Sequence, residues 1–369
     1  MYALLVSSFL ISVLSRGCAS PVSSEGYSIE YFNNIINDVK KSGARWEAGH
    51  NFEENEEFRH LVNFLDALDE EEIETKLKML NDGPELSNSA NPKVGHSAHS
   101  QCLPETVDVF NGLEEFKYCK SVGRVWNQGR CASDWVIAPA AAFTDRLCIA
   151  SNGTFKETIS PETPLACCKN CGWGCRKGYA REVNEYFVKY GGVTGGTFGS
   201  NEGCQPYSLW PSTHAKYFQR PHARTPKCQN QCTNSKYKKT FENDIIKAKR
   251  ATTFGCPCWV PSTLRKHGPI IATMIVYEDF ITYKSGIYHH VAGKALGKLT
   301  VKIVGYNQES DKVEENYWIA VNSWGKKWGD NGTFKIRKWR DECLIEDSLQ
   351  AIYVDGNTDI SVSSSEEDY

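Results

Sequence analysis

Gln128-Gly129-Arg130-Cys131-Ala132-Ser133-Asp134-Trp135 leads from a glycine-bearing loop into an alanine-rich run. A helix is predicted from near Asp134 through Ala140, Ala141 and Ala142 to about Cys148. Pro139 falls early in it, where it removes one backbone hydrogen bond and kinks the first turns. Asp134 sits at the end of the helix where free N–H groups and the positive pole of the dipole favour a carboxylate. Such a cap contributes about 0.5–2 kcal/mol.

Outward from this stretch the pattern changes character. Residues 180–190 read as a second helix, and residues 191–240, dense in Gly, Pro and Cys, read as loops. From 268 onward short β-rich runs take over at Ile270–Tyr277, Leu299–Tyr306, Tyr317–Val321 and Gly332–Ile336. Helices first and strands second predict an α+β domain of two packed halves, opening near Leu103-Pro104. Upstream, Ile29, Phe32, Ile35, Ile36 and Val39 fall at helical spacing behind a possible Ser28 cap. Residues 55–80 repeat that spacing with Phe58, Leu61, Val62, Phe64, Leu65, Ile73, Leu77 and Leu80. This segment, 21–80, reads as a small helical domain or as a pro-segment. Residues 81–101, rich in Ser, Asn, Gly, Pro and His, read as a linker, 102–356 as the main domain, and the acidic, Ser-rich residues 357–369 as a disordered tail.

A chain of 369 residues buries a large core. Its net charge of −3 gives no reason to expect nucleic acid or a membrane surface as partner. The charge is uneven. Residues 21–90 carry 16 acidic and 6 basic side chains, a net of −10, and residues 91–356 carry 25 acidic and 35 basic, a net of +10. Opposite charges favour docking of the first region on the second, with screened pairs worth little each. The apolar run Ala3–Leu14, followed by Gly17, Ala19 and Ser20, reads as a secretory signal over residues 1–20. It is well short of the ~20 residues of a membrane span. Secretion, with a lysosome or secretory vesicle as the alternative, and 15 cysteines predict disulfides. The adjacent pair at Cys167 and Cys168 argues against reading Cys167-Cys168-x-x-Cys171-x-x-x-Cys175 as zinc ligands, so no metal and no cofactor is expected.

The opening stretch resembles the nucleophile segment of papain-family cysteine peptidases, Gln-Gly-x-Cys-Gly-Ser-Cys-Trp. Further segments resemble the cathepsin B branch: Trp46-Glu47-Ala48-Gly49-His50-Asn51-Phe52, like its short pro-segment; Cys167-Cys168 through Cys175 with Gly178-Tyr179; Gly203-Cys204-Gln205-Pro206-Tyr207-Ser208; Thr225-Pro226-Lys227-Cys228; Tyr283-Lys284-Ser285-Gly286-Ile287-Tyr288; and Asn322-Ser323-Trp324 with Trp328-Gly329-Asp330-Asn331-Gly332. The resemblance implies a papain-like two-lobed fold, a helical left lobe and a β-barrel-like right lobe, preceded by a small helical pro-segment. It implies the disulfides Cys119–Cys148, Cys131–Cys175, Cys167–Cys228, Cys168–Cys171 and Cys204–Cys232, each contributing roughly 2–4 kcal/mol. Cys102, Cys256, Cys258 and Cys343 have no obvious partner, and a Cys256–Cys258 bridge would be strained. The family's occluding loop carries one more bridge. Here Ser212 and a residue near His222 stand at its positions, and His214 alone remains of two adjacent histidines, so the carboxy-dipeptidase activity of that loop is not expected.

The resemblance also assigns roles in the site. Gln128 takes the oxyanion position and Asn322 the orienting position, with Trp324 shielding it. The nucleophile position holds Asp134. The base position, fixed by Gly305 and Tyr306 continuing the pattern after the strand, holds Leu299. Leucine accepts no proton, and a carboxylate is a poor acyl acceptor whose acyl product is an anhydride. As a negative group, Asp134 would also oppose an oxyanion. Loss of nucleophile or base alone removes most of the rate in such enzymes. Both replacements read as stabilising, Asp134 by capping and Leu299 by apolar burial, about 1.5–3 kcal/mol if fully covered. Cys131, expected in a disulfide, and His289 and His290, read as surface or loop residues, are not expected to rescue catalysis. Ser348, beside Asp347, takes the S2-pocket position, so a preference for basic side chains is not assured. Asn152 and Asn331 head glycosylation sequons, and Asn152, after a helix, is favoured. The functional expectation is a secreted, catalytically inactive cathepsin B-like protein that binds peptides, peptidase inhibitors or other proteins in its cleft, and its own pro-segment. The competing expectations are an active cysteine endopeptidase with an unrecognised nucleophile and a purely structural extracellular protein.

Overall fold

The computed structural model describes residues 29–51, 107–211, 223–309 and 312–355. The signal, the 55–80 helix, the linker, Cys102, Ser212, His214, His222 and the tail lie outside the described residues.

The first described element is α1 (Ile29–Ser42), whose buried residues Phe32, Ile35, Ile36 and Val39 are those of the predicted stripe. β1 (Trp46–Ala48) follows and pairs antiparallel with β5 (Tyr283–Tyr288). Next come β2 (Asp108–Asn111), α2 (Gly112–Glu115), α3 (Asp134–Ala150), α4 (Glu162–Cys167) and α5 (Ala180–Lys189). α3 starts at the predicted residue and carries Pro139 inside it. The rest of the chain supplies β3 (Arg250–Thr253), α6 (Val260–His267), β4 (Ile270–Tyr277), α7 (Glu278–Ile281), β6 (Ala295–Gln308), β7 (Tyr317–Val321), β8 (Thr333–Arg337) and β9 (Gln350–Tyr353).

The strands form one sheet in the order β1-β5-β8-β7-β6-β4-β9-β3, with β2 also on β6. All pairs are antiparallel except β5 with β8. β6 is longer than the run Leu299–Tyr306 read from apolar residues. Its ends, including Lys298 and Asn307, are held by pairing with β4, β2 and β7. A strand paired on both sides needs no apolar alternation at its ends.

Two cores result. One fills the β half and includes Leu299, Trp318, Trp324 and Trp328 together with Phe32, Val39 and Trp46 of the first segment. The other fills the helical half around Trp126, Trp135, Phe143 and Phe187. α3 joins them. Arg146 is fully buried and donates to three carbonyls: Nε to Pro269 O (2.7 Å), Nη1 to Ile352 O (2.8 Å) and Nη2 to Gly268 O (3.1 Å). Burial lowers its pKa to about 10. Its neighbour Asp145 accepts from Lys302 Nζ of β6 at 2.5 Å, and Lys302 also donates to Ser121 O and Val122 O. Removing one member of such a buried pair costs about 3–5 kcal/mol, so these contacts set the position of α3 against β6.

The five implied disulfides are all formed. Cys256 is bonded to Cys258 as well, the bridge set aside as strained, and Cys343 is a free, buried thiol.

The segment 29–51 docks on the β half by apolar packing and strand addition. Trp46 lies against Tyr288 (5.1 Å between ring centroids) and donates Nε1 to His289 O at 3.0 Å. Asn51 donates to Ile281 O and Tyr283 O and accepts from Gly329 N. Gly286 has φ +92°, and a Cβ there would stand 2.4 Å from Arg45 O. Glycine is what lets β1 lie down on β5. The charge imbalance explains little of this described interface: the exposed ion pair Arg45–Glu315 places the base on the segment and the acid on the body, opposite to the regional averages.

Candidate functional site

The loop before α3 is clamped to the β7–β8 connection. Gln128 N donates to Ser323 O (2.8 Å) and Gly325 N to Trp126 O (2.9 Å). Gly129 has φ +67°, and a Cβ there would meet Trp210 O at 2.1 Å, so the loop needs glycine. The Cys131–Cys175 bridge anchors the other side, with Ala132 N on Cys175 O. Ser133 is the residue before the helix, and its hydroxyl shares a 2.7 Å hydrogen bond with Tyr207 Oη, which donates to Gln128 O.

Asp134 is therefore the first helical residue, and it is 3% exposed. The expected helix cap is not what holds it. Its Oδ2 crosses to the sheet and accepts from Thr300 N at 2.7 Å, while Oδ1 is buried with no hydrogen-bond partner among the described residues. Burial pushes its pKa up to about 7, against the lowering influence of the Thr300 N–H. The expected negative group therefore carries only part of its charge at neutral pH. Desolvation outweighs the helix end, and the carboxyl is about half protonated near neutral pH.

Leu299 precedes Thr300 in β6, pairs with Met274 of β4 and is fully buried in the β core. Thr300 Oγ1 shares a 3.0 Å hydrogen bond with Thr273 Oγ1. Thr273 N donates to Ser348 Oγ (2.6 Å), and that hydroxyl donates back to Thr273 O (2.7 Å). Ser348, the expected S2 residue, is thus tied to β4. A ladder runs from Asp134 through Thr300 and Thr273 to Ser348.

The two other site residues are in place but occupied or unpaired. Gln128 is buried, donates Nε2 to Cys131 O (2.9 Å) and accepts from Ser323 Oγ (2.6 Å). Asn322 accepts from Ser323 N (2.7 Å), and its buried Nδ2 has no hydrogen-bond partner among the described residues. Trp324 beside it is buried and packs on Trp328.

The structure brings Gln128, Asp134, Leu299 and Asn322 around the α3 start, and His290 is engaged elsewhere. His289 and His290 lie in the loop after β5, as one of the two expectations had it, and His290 is not at the surface. It is half-buried, its Nδ1 lies 3.1 Å from Asp279 Oδ2, and its ring stacks on Tyr277 at 3.7 Å. Tyr277 is three residues along β4 from the partner of Leu299, about 10 Å at strand rise. His289 is half-buried too. Asn152 and Asn331 are both exposed with positive φ (50° and 52°), so exposure does not favour one sequon over the other.

Thr300, Thr273, Ser133, Tyr207 and Ser323 complete the site and were not legible in advance, because their role rests on contacts across 27 to 195 residues. Lys302 had a signal: a single charge inside an apolar strand demands a buried partner.

A profile of the papain family cysteine proteases matches residues 103–353. A Caenorhabditis elegans protein, cathepsin B-like cysteine proteinase 3, is 32% identical over 352 residues, 93% of this chain and 89% of that protein. Cathepsin B-like cysteine proteinase 4 of the same animal is 35% identical over 268 residues, covering 69% and 77%. Among solved structures, procathepsin B S9 from Trypanosoma congolense superposes with a TM-score of 0.63 at 26% identity, over 88% of this chain and 97% of that one. Digestive procathepsin L 3 of Tenebrio molitor, 16% identical with a TM-score of 0.55 over 88% of each chain, shares the fold.

Proposed function

Because the chain belongs to the papain family of cysteine proteases and to its cathepsin B-like members, we propose that it is a catalytically inactive member, a secreted protein that works by binding. The observation that carries this reading is the pair Asp134 and Leu299. At the start of α3 a buried carboxyl is hydrogen-bonded to Thr300 N, and the neighbouring strand position is a fully buried leucine. A cysteine peptidase needs a thiolate there and an imidazole beside it.

The chemistry of the remaining groups agrees. Protonated, the Asp134 carboxyl is no nucleophile; ionised, it is a poor acyl acceptor whose acyl product would be an anhydride, and Leu299 offers no proton to the leaving amine. Asn322, which in this reading would orient an imidazole, has Leu299 at the base position, and its buried Nδ2 has no hydrogen-bond partner among the described residues. Gln128 spends Nε2 on Cys131 O. Cys131 is bonded to Cys175, and Cys343 is buried with its thiol pushed well above the ordinary value by burial. Neither sulfur suits the role of a substitute nucleophile.

The occupant of the cleft is then a peptide, a protein inhibitor of cysteine peptidases or the chain's own first segment. That segment stays attached in this reading unless another protease cuts the linker. The test is made on protein from a host lacking related peptidases, freed of residues before about 103 by an added protease. It should show no peptide turnover and no labelling by epoxide thiol probes, yet bind a cystatin-type inhibitor or a peptide. Turnover that disappears on mutating Cys131, His289 or His290 would overturn the reading in favour of an active endopeptidase.

A further inference from the structure

The bridge Cys256–Cys258 belongs to no part of the site described above. We propose that Cys256-Pro257-Cys258 is a thiol–disulfide exchange site, a reversible dithiol whose co-reactant is a thiolate.

Four observations meet here. First, the bridge spans a sequence separation of 2, against 28 to 61 for the bridges of Cys119, Cys131, Cys167 and Cys204. The constraint a disulfide places on the unfolded chain grows with the loop it closes, so this bond contributes least to holding the fold and is free to open. Second, both cysteines are half-buried, the preceding Gly255 is exposed and Trp259 is 55% exposed, so an incoming sulfur has an approach. Cys168–Cys171, the other short bridge, has Cys171 fully buried. Third, Cys256 Sγ accepts from Cys258 N at 3.3 Å, at the start of the 3₁₀ turn 257–259 that leads into α6. A hydrogen bond to the charged form favours a thiolate, which makes Cys256 the leaving sulfur and Cys258 the one attacked. Fourth, Cys343 is buried and held as a neutral thiol by that burial, so it does not compete as an internal partner.

The step balances as follows. A thiolate RS⁻ attacks Cys258 Sγ, the Cys256–Cys258 bond breaks, and Cys256 leaves as a thiolate facing the Cys258 N–H. A second RS⁻ attacks the RS sulfur of the mixed disulfide and releases RSSR and the Cys258 thiolate. Two thiols are oxidised, one protein disulfide is reduced, and the two thiol protons pass to Cys256 and Cys258. The exposed Trp259 offers an apolar face to the group carrying the attacking sulfur.

The test uses the full chain in graded glutathione redox buffers, quenched by acid, alkylated and mapped by mass spectrometry. A parallel arm uses a reduced thioredoxin, a protein dithiol. Cys256 and Cys258 should become alkylated at least about tenfold faster than any other described bridge opens. Opening by glutathione identifies a small thiol as sufficient, and opening by thioredoxin alone assigns the exchange to protein thiols; either supports the site. The variant Cys256→Ser should accumulate a glutathione adduct on Cys258 from oxidised glutathione, and Cys258→Ser should form less on Cys256. The proposal fails if the pair stays oxidised in both arms, or opens no faster than Cys167–Cys228 or Cys168–Cys171. Because the alkylation map is made on unmutated protein, it decides the matter even where a serine variant does not fold.

Discussion

Two buried polar sites of this chain are solved in opposite ways. Where the first segment meets the β half, Asn51 uses its whole amide, two donors on Ile281 O and Tyr283 O and one acceptor for Gly329 N. At the start of α3, Asp134 Oδ1 and Asn322 Nδ2 are buried with no hydrogen-bond partner among the described residues. Buried polar atoms left unpaired cost about 1–3 kcal/mol each. The docking interface is thus built for stability, whereas the α3 site retains a polar frame around an apolar insertion. In the reading proposed above, that is how a reactive centre looks after its thiol and imidazole are replaced one for one.

Restoring the thiol and imidazole should have the largest effect. Asp134→Cys with Leu299→His, after removal of the first segment, should raise peptide turnover from background by about a thousandfold or more, and either change alone should give far less, since nucleophile and base act as a unit. A folded double variant with no turnover would mean that the frame of Gln128 and Asn322 no longer serves catalysis.

Docking of the first segment should depend most on one side chain. Trp46→Ala should cost about 3–5 kcal/mol of the docking free energy, seen as faster amide hydrogen exchange in β5 and cleavage of the segment at lower protease concentration. Unchanged exchange would show that Trp46 packing is not what retains the segment.

The carboxyl of Asp134 makes a prediction in pH. Its pKa rises from 3.8 to about 7 on folding. Between those values the folded state holds one proton more than the unfolded state, so the unfolding free energy falls as pH rises. The contribution is fully present below about pH 4 and lost by about pH 7–8. Three pKa units correspond to about 4 kcal/mol as an upper bound. Asp134→Asn removes this titration, so the variant should gain stability relative to the unmutated protein as pH goes from 4 to 8, measured as the difference in Tm. A gap that stays constant with pH would mean that Asp134 is ionised throughout.

Salt should do least. The exposed Arg45–Glu315 pair is expected to contribute under about 1 kcal/mol, so 1 M salt should leave the first segment docked. Release of the segment by salt would return the leading role to the regional charges of −10 and +10.

An apolar stripe at helical spacing placed α1, the change from loop to alanine-rich run placed the start of α3, and β-rich runs bounded by turn residues gave the bounds of β4 and β7. Residue identity alone fixed that position 134 carries a carboxyl and 299 a branched alkane. Everything that depends on what lies opposite was decided by the tertiary structure. That Asp134 bonds Thr300 N instead of its own helix, that its proton is retained to about pH 7, that Arg146 and Lys302 lock α3 to the sheet, and that His290 serves Asp279 are consequences of burial and of partners distant in sequence. Desolvation and hydrogen bonding act through space at about 3 Å, and a linear pattern carries no information about which residues the fold brings within that distance.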